Sequence, residues 1–331
     1  MSKIREPFKC NLHKNVLTAD FCREHKHLFP AGYTDAAPMA EISIESAKTL
    51  DISLAMLPFD YVVEAEAYGA EITGYNDIFG LRAKGKRLNS AEELPELPPM
   101  DFTGGRLTEI IKAVSLIDKA GYTPCLNITG LFSLLEILLP IEKVFSAWRK
   151  RQKVLLEFVA GYEKSLIKYI TLALNAGAKV ISYSDPLTGL AILGRKNGQQ
   201  IAKELVLPFY YEISRIPNSG IIHVCGVSSD ILTAADAAWL EIELETEKYY
   251  SEAIIEQALA TQGIKFFGYG CLHHNRMTGK LTQLLPQRLI FSNNTTLTRR
   301  LPNPHIRHTD SEYTVTGYDA NRVLHKEFSQ H

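Results

Sequence analysis

Short apolar runs alternate with longer segments of helical period along most of this chain. "ISLAML" (52–57) is a run of strand length stopped by Pro58. "LTEIIKAVSLIDKA" (107–120) repeats its apolar residues every three or four positions and stops at Gly121, which predicts an amphipathic helix. "YTPCLNI" (122–128) reads as a strand. The segment 145–176, from "FSAWRK" to "TLALNA", is helical, long enough for two helices, and closed by Gly177. "AKVISYS" (178–184) is a strand leading into Asp-Pro. The segment 197–216 is helical with a break near Pro208. Then follow the strand "GIIHVC" (220–225), a helix near 229–238, the strand "WLEIEL" (239–244), a helix over 247–262 ending at Gly263, and the strand "IKFFGYGC" (264–271).

At least six strands thus alternate with helices of ten residues or more, the signature of parallel βα units. A (β/α)8 TIM barrel fits this rhythm first, and an open doubly wound sheet second. The expected architecture is one α/β domain over residues 1–331. Two segments leave the rhythm: an insertion at 72–101, which reads as a hairpin and a proline-rich connection, and a polar, turn-rich C-terminal extension from about 290 to 331.

Composition narrows the function classes. Apolar residues are 46% and charged residues 22%, enough for a large core, and the formal net charge is −1. That balance offers no electrostatic footprint for nucleic acid or an anionic membrane surface. No run of eighteen apolar residues predicts a membrane span, and "MSKIREPFKCNLHKN" lacks the apolar core of a secretory signal. Five widely spaced cysteines do not form a disulfide framework, so a reducing cytoplasm with free thiols or a metal site is expected.

In a barrel the strand ends form the active face. His223 and Cys225 are two apart on one strand and share a face, and Cys271 closes the last clear strand 46 positions later. One imidazole and two thiolates make a zinc set with a fourth position open. The plainer reading is that cysteines are common core residues and His-x-Cys is a short motif. His273 and His274 are further donors, or simply solvated. Asn127 lies at the end of a strand, and Asp185, Glu64, Glu66 and Glu71 follow strands; individually Asp185 reads as a helix cap and the glutamates as a solvated helix face. Glu64, Glu66 and Asp185 together at one barrel mouth form the candidate catalytic group, and Asn127 the candidate cofactor contact.

Four stretches carry a resemblance. Residues 29–72 contain Phe-Pro, Thr-Asp before Met, and "PFDYVVEAEAYGAE"; "CLNITGLFSLLEIL" (125–138) has Gly-Leu-Phe where the pattern has Gly-Pro-Phe; "ALNAGAKVISYSDP" (173–186) is a strand ending in an acidic residue; "IIHVCG" (221–226) is a His-x-Cys-Gly motif. Over roughly residues 25–275 the chain resembles the uroporphyrinogen decarboxylase superfamily, in its methylcobamide:coenzyme M methyltransferase-like branch. The resemblance implies a (β/α)8 barrel with zinc at its mouth, held by His223, Cys225 and, as third ligand, Cys271. It implies methyl transfer between a methylated corrinoid such as methylcobalamin, brought by a corrinoid carrier protein, and a small acceptor: a thiol such as coenzyme M, or tetrahydrofolate. The interval from Cys225 to Cys271 is shorter than the family's, so the last βα unit is expected to be modified. The alternatives are a tetrapyrrole decarboxylase, whose N-terminal Arg-Gln-Ala-Gly-Arg segment is not matched here, and a non-catalytic corrinoid-binding barrel.

Overall fold

A computed structural model of the chain describes residues 17–74, 80–259, 262–272 and 276–285. The elements run α1 (Ala19–Glu24), α2 (Ala36–Leu50), β1 (Leu54–Leu57), α3 (Val63–Ala67), β2 (Ile72–Thr73), β3 (Arg82–Ala83), α4 (Gly105–Lys119), β4 (Thr123–Thr129), α5 (Leu131–Leu138), α6 (Ile141–Arg149) and α7 (Lys153–Asn175). They continue with β5 (Val180–Ser184), α8 (Leu190–Ile201), α9 (Leu207–Ser214), β6 (Gly220–Cys225), α10 (Gly226–Ala234), β7 (Trp239–Tyr249), α11 (Tyr250–Leu259), β8 (Ile264–Gly270) and β9 (Arg276–Leu284). Among the described residues no helix is long and apolar enough to cross a membrane. The chain divides by contact into residues 1–292 and 293–331; the second unit, with nearly all of the expected extension, lies outside the described residues.

Local pattern explains the elements. α4 buries Leu107, Ile110, Ala113, Val114 and Ile117, one stripe at helical spacing. The long helical segment after residue 141 is two helices, separated at Arg151, whose φ of 55° breaks the helical path. The insertion after α3 opens with the antiparallel pair β2–β3.

The main sheet has the order β1-β4-β5-β6-β8-β9-β7. The first five strands are parallel and advance in one direction, the winding of a barrel rather than of a doubly wound sheet. Alternate residues separate two faces. Leu57, Ile128, Ile181, Tyr183, Ile222 and Val224 join the helices in the larger core. Leu54, Cys125, Val180, Ile221 and Phe267 meet Tyr250 and Ile254 of α11 in a second core.

α11 lies on that second face because of chain direction. The step from β7 to β8 runs backwards along the sheet, and a right-handed crossover reversed in direction puts its helix on the opposite side. Glu252 of α11 accepts from Ser53 N and Oγ (3.0 and 3.1 Å) beside β1, while Tyr250 Oη donates to Gly268 O (3.3 Å) in β8. β1 and β8 are four strand steps apart, about 19 Å in a flat sheet. One helical turn reaches both, so the sheet is curled around α11.

The "WLEIEL" strand departs from the expected series of parallel units. It forms with β9 an antiparallel pair at the far edge of the sheet, and β6 pairs directly with β8. Its composition accounts for this. Glu241, Glu243 and Glu245 are exposed, while Ile242 and Leu244 pack against the second core. A strand with one wet face suits an antiparallel edge; the interior of a parallel sheet requires apolar residues on both faces.

Candidate functional site

The pairing of β6 with β8 brings the two sequence-predicted strand ends together. His223 is opposite Phe267 and Cys225 is opposite Gly270, so β8 carries one extra residue over this interval. The extra residue is a bulge, and Tyr269 within it has φ of 55°. A positive φ at a tyrosine is strained, and α10 holds it there. Tyr269 N donates to Ser229 Oγ (3.1 Å), its hydroxyl bonds Thr233 and Ser229 O, and its ring packs on Trp239 at 5.1 Å. Bulges re-aim the side chains that follow them, here Cys271.

His223 is buried. Its Nδ1 lies 3.1 Å from Ser182 Oγ on β5, its Nε2 lies 3.2 Å from Gly270 O, and Tyr250 meets the ring edge-on at 5.6 Å. Gly270 is required by that tyrosine: a Cβ there would stand 2.2 Å from the ring. Burial holds the Tyr250 phenol well above its ordinary range, with Cys271 and Cys225 adding to the shift. Cys225 and Cys271 are half-buried, whereas Cys125 is fully buried and its thiol is pushed up by burial.

Among the described residues no three His, Cys, Asp or Glu side chains are already gathered as a metal cage. His223 Nε2 is bonded to the Gly270 carbonyl. The donor set itself, one imidazole and two thiols on adjacent strand ends, has the chemistry zinc takes. His273 and His274 lie outside the described residues.

The carboxylates sit on the same strand-end rim, each tied to a neighbouring element. Glu64, on α3, is buried and accepts from Thr129 N (3.1 Å). Burial pushes its carboxyl up to about 7. Asp185 is buried after β5, and burial pushes it up to about 6. It accepts from Phe132 N (2.9 Å), Ser133 N (3.0 Å) and Ser133 Oγ (2.8 Å). It therefore caps α5 of the preceding unit rather than the turn that begins beside it. Glu66 accepts from Arg106 Nη1 (2.9 Å), Asn127 Nδ2 donates to Pro58 O (3.1 Å), and Glu71 forms an exposed pair with Lys84.

Four residues at or beside the site escaped the sequence reading. Arg106 at the start of α4 is buried between Asp60 and Glu66; a cation directly after Gly-Gly at a helix start was its one signal. Asp60, Ser182 and Tyr250 carry no pattern that separates them from cap, strand and helix residues.

Gly130 makes the Asp185 cap possible. A Cβ there would lie 2.2 Å from Asp185 Cβ and 2.5 Å from its Cγ. Gly130→Ala is expected to displace Asp185 and release the α5 amides, with a loss of about 2 kcal/mol from cap and overpacking together. Urea denaturation measures it; unchanged stability would show that the rim yields freely.

A family model described as uroporphyrinogen decarboxylase (URO-D) matches residues 14–260. The methylcobamide:CoM methyltransferase MtbA of Methanosarcina mazei is 23% identical over 214 residues, 63% of this chain and 62% of that protein. This chain therefore matches somewhat less than two thirds of that relative's length. A solved structure of a methyltransferase from Methanosarcina mazei superposes with a TM-score of 0.57 at 17% identity, covering 70% of this chain and 68% of that one. The fold is of the α/β TIM-barrel class, with its final units rebuilt around β7, α11 and β9.

Proposed function

This chain belongs to the uroporphyrinogen decarboxylase family, and from that premise we propose that it is a zinc-dependent methyltransferase. It moves a methyl group between a methylated corrinoid, carried by a partner protein, and a small acceptor that is a thiol such as coenzyme M or else tetrahydrofolate. The observation that carries this reading is the direct β6–β8 pairing, which sets His223 and Cys225 beside the strand end that bears Cys271. The partial likeness to MtbA supports the same chemistry.

His223, Cys225 and Cys271 would hold the metal. Zinc bound there acts as a Lewis acid that keeps an acceptor thiol as thiolate, the nucleophilic form. The remaining work belongs to the chain. Ser182 orients the His223 ring, and the Tyr269 bulge sets the direction of Cys271. Tyr250 of α11 packs edge-on against the His223 ring. Asn127 lies in the same register row as Ser182 and His223 and extends the polar strip along which a ligand is oriented. Glu64, Glu66 and Asp185 shape the mouth by anchoring three successive units at their strand ends.

The test is metal content followed by turnover. The full-length chain is expected to hold about one zinc. Cys225→Ser and Cys271→Ser are each expected to weaken zinc binding on the order of 100-fold, at least as much as losing an outer partner of a ligand, with unchanged far-UV circular dichroism. The zinc-loaded protein, given methylcobalamin or the methylated carrier protein, is expected to discharge the methyl–cobalt absorbance when an acceptor is added. Zinc retained by both cysteine variants would remove the ligand assignment. Failure of every thiol and folate acceptor would leave the family membership standing and remove the methyltransferase reading.

A further inference from the structure

The helical turn before Pro208 is widened. Proline has no N–H to give to that turn, and Leu207 N donates instead to Ala202 O, five residues back. Leu205 and Val206 of this turn line a small cavity, together with Tyr183 and Asp185 at the end of β5 and Tyr162 and Glu163 of α7. It has room for about one water molecule.

Two buried groups on the cavity wall have bonding capacity left. The Tyr183 hydroxyl accepts from Leu131 N (3.2 Å), and among the described residues its own proton goes to no acceptor. The Asp185 carboxylate accepts from Phe132 N, Ser133 N and Ser133 Oγ, which leaves about one of a carboxylate's four acceptor positions.

We propose that this cavity is a binding site for a single water molecule, which accepts from the Tyr183 hydroxyl and donates to the Asp185 carboxylate. The bonding pattern selects the ligand. A bare cation would leave the Tyr183 proton without an acceptor, and an anion would face the Asp185 charge. The ligand must both accept and donate, as a hydroxyl or water does, and the space limits it to water. Its place explains its role. Leu131, Phe132 and Ser133 supply the first three amides of α5; Tyr183 holds the first and Asp185 the other two. A water between the two acceptors joins them into one network around the helix start. The site does not depend on the methyltransferase reading.

A crystal structure and water-to-amide NOE spectra of the full-length chain test this. The crystal structure is expected to show a density peak about 2.5–3.0 Å from Tyr183 Oη and from an Asp185 carboxylate oxygen. The spectra are expected to show cross-peaks from a long-lived water at the amide protons of Leu131 and Phe132. Tyr183→Phe removes the donor and is expected to lose both signals. Val206→Ile keeps every polar group and adds one methyl group to the cavity wall; it is expected to displace the water, so the test stands even if the phenylalanine variant folds poorly. No density at this place in the wild-type chain would overturn the site. Cross-peaks unchanged in both variants would show that they arise elsewhere and overturn it as well. Density bonded to Tyr183 alone would overturn the link to Asp185.

Discussion

Replacing Arg106 with alanine is expected to destabilise the protein by about 3–5 kcal/mol, the scale of removing one partner from a buried ion pair. Arg106 donates from Nη2 to Asp60, from Nη1 to Glu66 at 2.9 Å and from Nε to Tyr33 O at 2.9 Å. The Asp60 side chain is 0% exposed and that of Arg106 7%. Burial pushes the Asp60 carboxyl up, and Arg106 is the main opposing influence. Without the guanidinium, Asp60 must either stay charged in a dry site or take up a proton. Two consequences separate this from simple loss of packing. Adding Asp60→Asn to Arg106→Ala is expected to recover part of the loss, and the Arg106→Ala deficit is expected to shrink at acid pH, where Asp60 is protonated. A pH-independent deficit below about 1 kcal/mol, in the range of a surface pair, would show that water has replaced the arginine.

Glu64 is expected to make the protein less stable as pH rises from about 4.5 to about 7. Burial is the main cause of its shift from 4.5 to about 7, and the backbone amide of Thr129 only partly offsets it. Between those values the folded chain holds the proton more tightly than the unfolded chain, so stability falls as pH increases and levels off above about 7. The size of the shift corresponds to about 3 kcal/mol. Glu64→Gln keeps an oxygen to accept from Thr129 N and removes the ionisation. The variant is expected to match wild type near pH 4.5 and exceed it at pH 8. Asp60 and Asp185 are shifted in the same direction, so the measured quantity is the difference between wild type and Glu64→Gln across pH. Parallel curves for the two proteins would show that Glu64 is hydrated or paired in solution.

Much of the fold was legible because its signals are local. The stripe of α4 and the five strands of the parallel series follow from spacing within ten or twenty residues, whereas the length of the segment 145–176 allowed two helices without showing where they part. "WLEIEL" misled as to its place, although not as to its type. Its alternating glutamates already described a strand with one wet face; the rhythm of βα units around it suggested a buried position. The rim carboxylates were half-legible. Their positions after strands were visible, but burial is a property of the packed rim, and no spacing rule distinguishes Glu64 from a solvated helix glutamate.

What the sequence determined by itself was a set of short-range directions: which residues form strands, that His223 and Cys225 share a face, that Cys271 follows a strand. A period of two residues fixes these wherever the strand lies. The tertiary structure decided which strand ends meet. The displacement of β7 to the edge makes β6 and β8 neighbours, and that adjacency unites His223 and Cys225 with the end of β8. It also set Ser182 and Tyr250 against the His223 ring and Arg106 between two carboxylates. These pairings join residues 40 or more positions apart, Tyr250 and His223 excepted. They depend on crossover handedness and on which faces find apolar partners, and both act only once the whole sheet has formed.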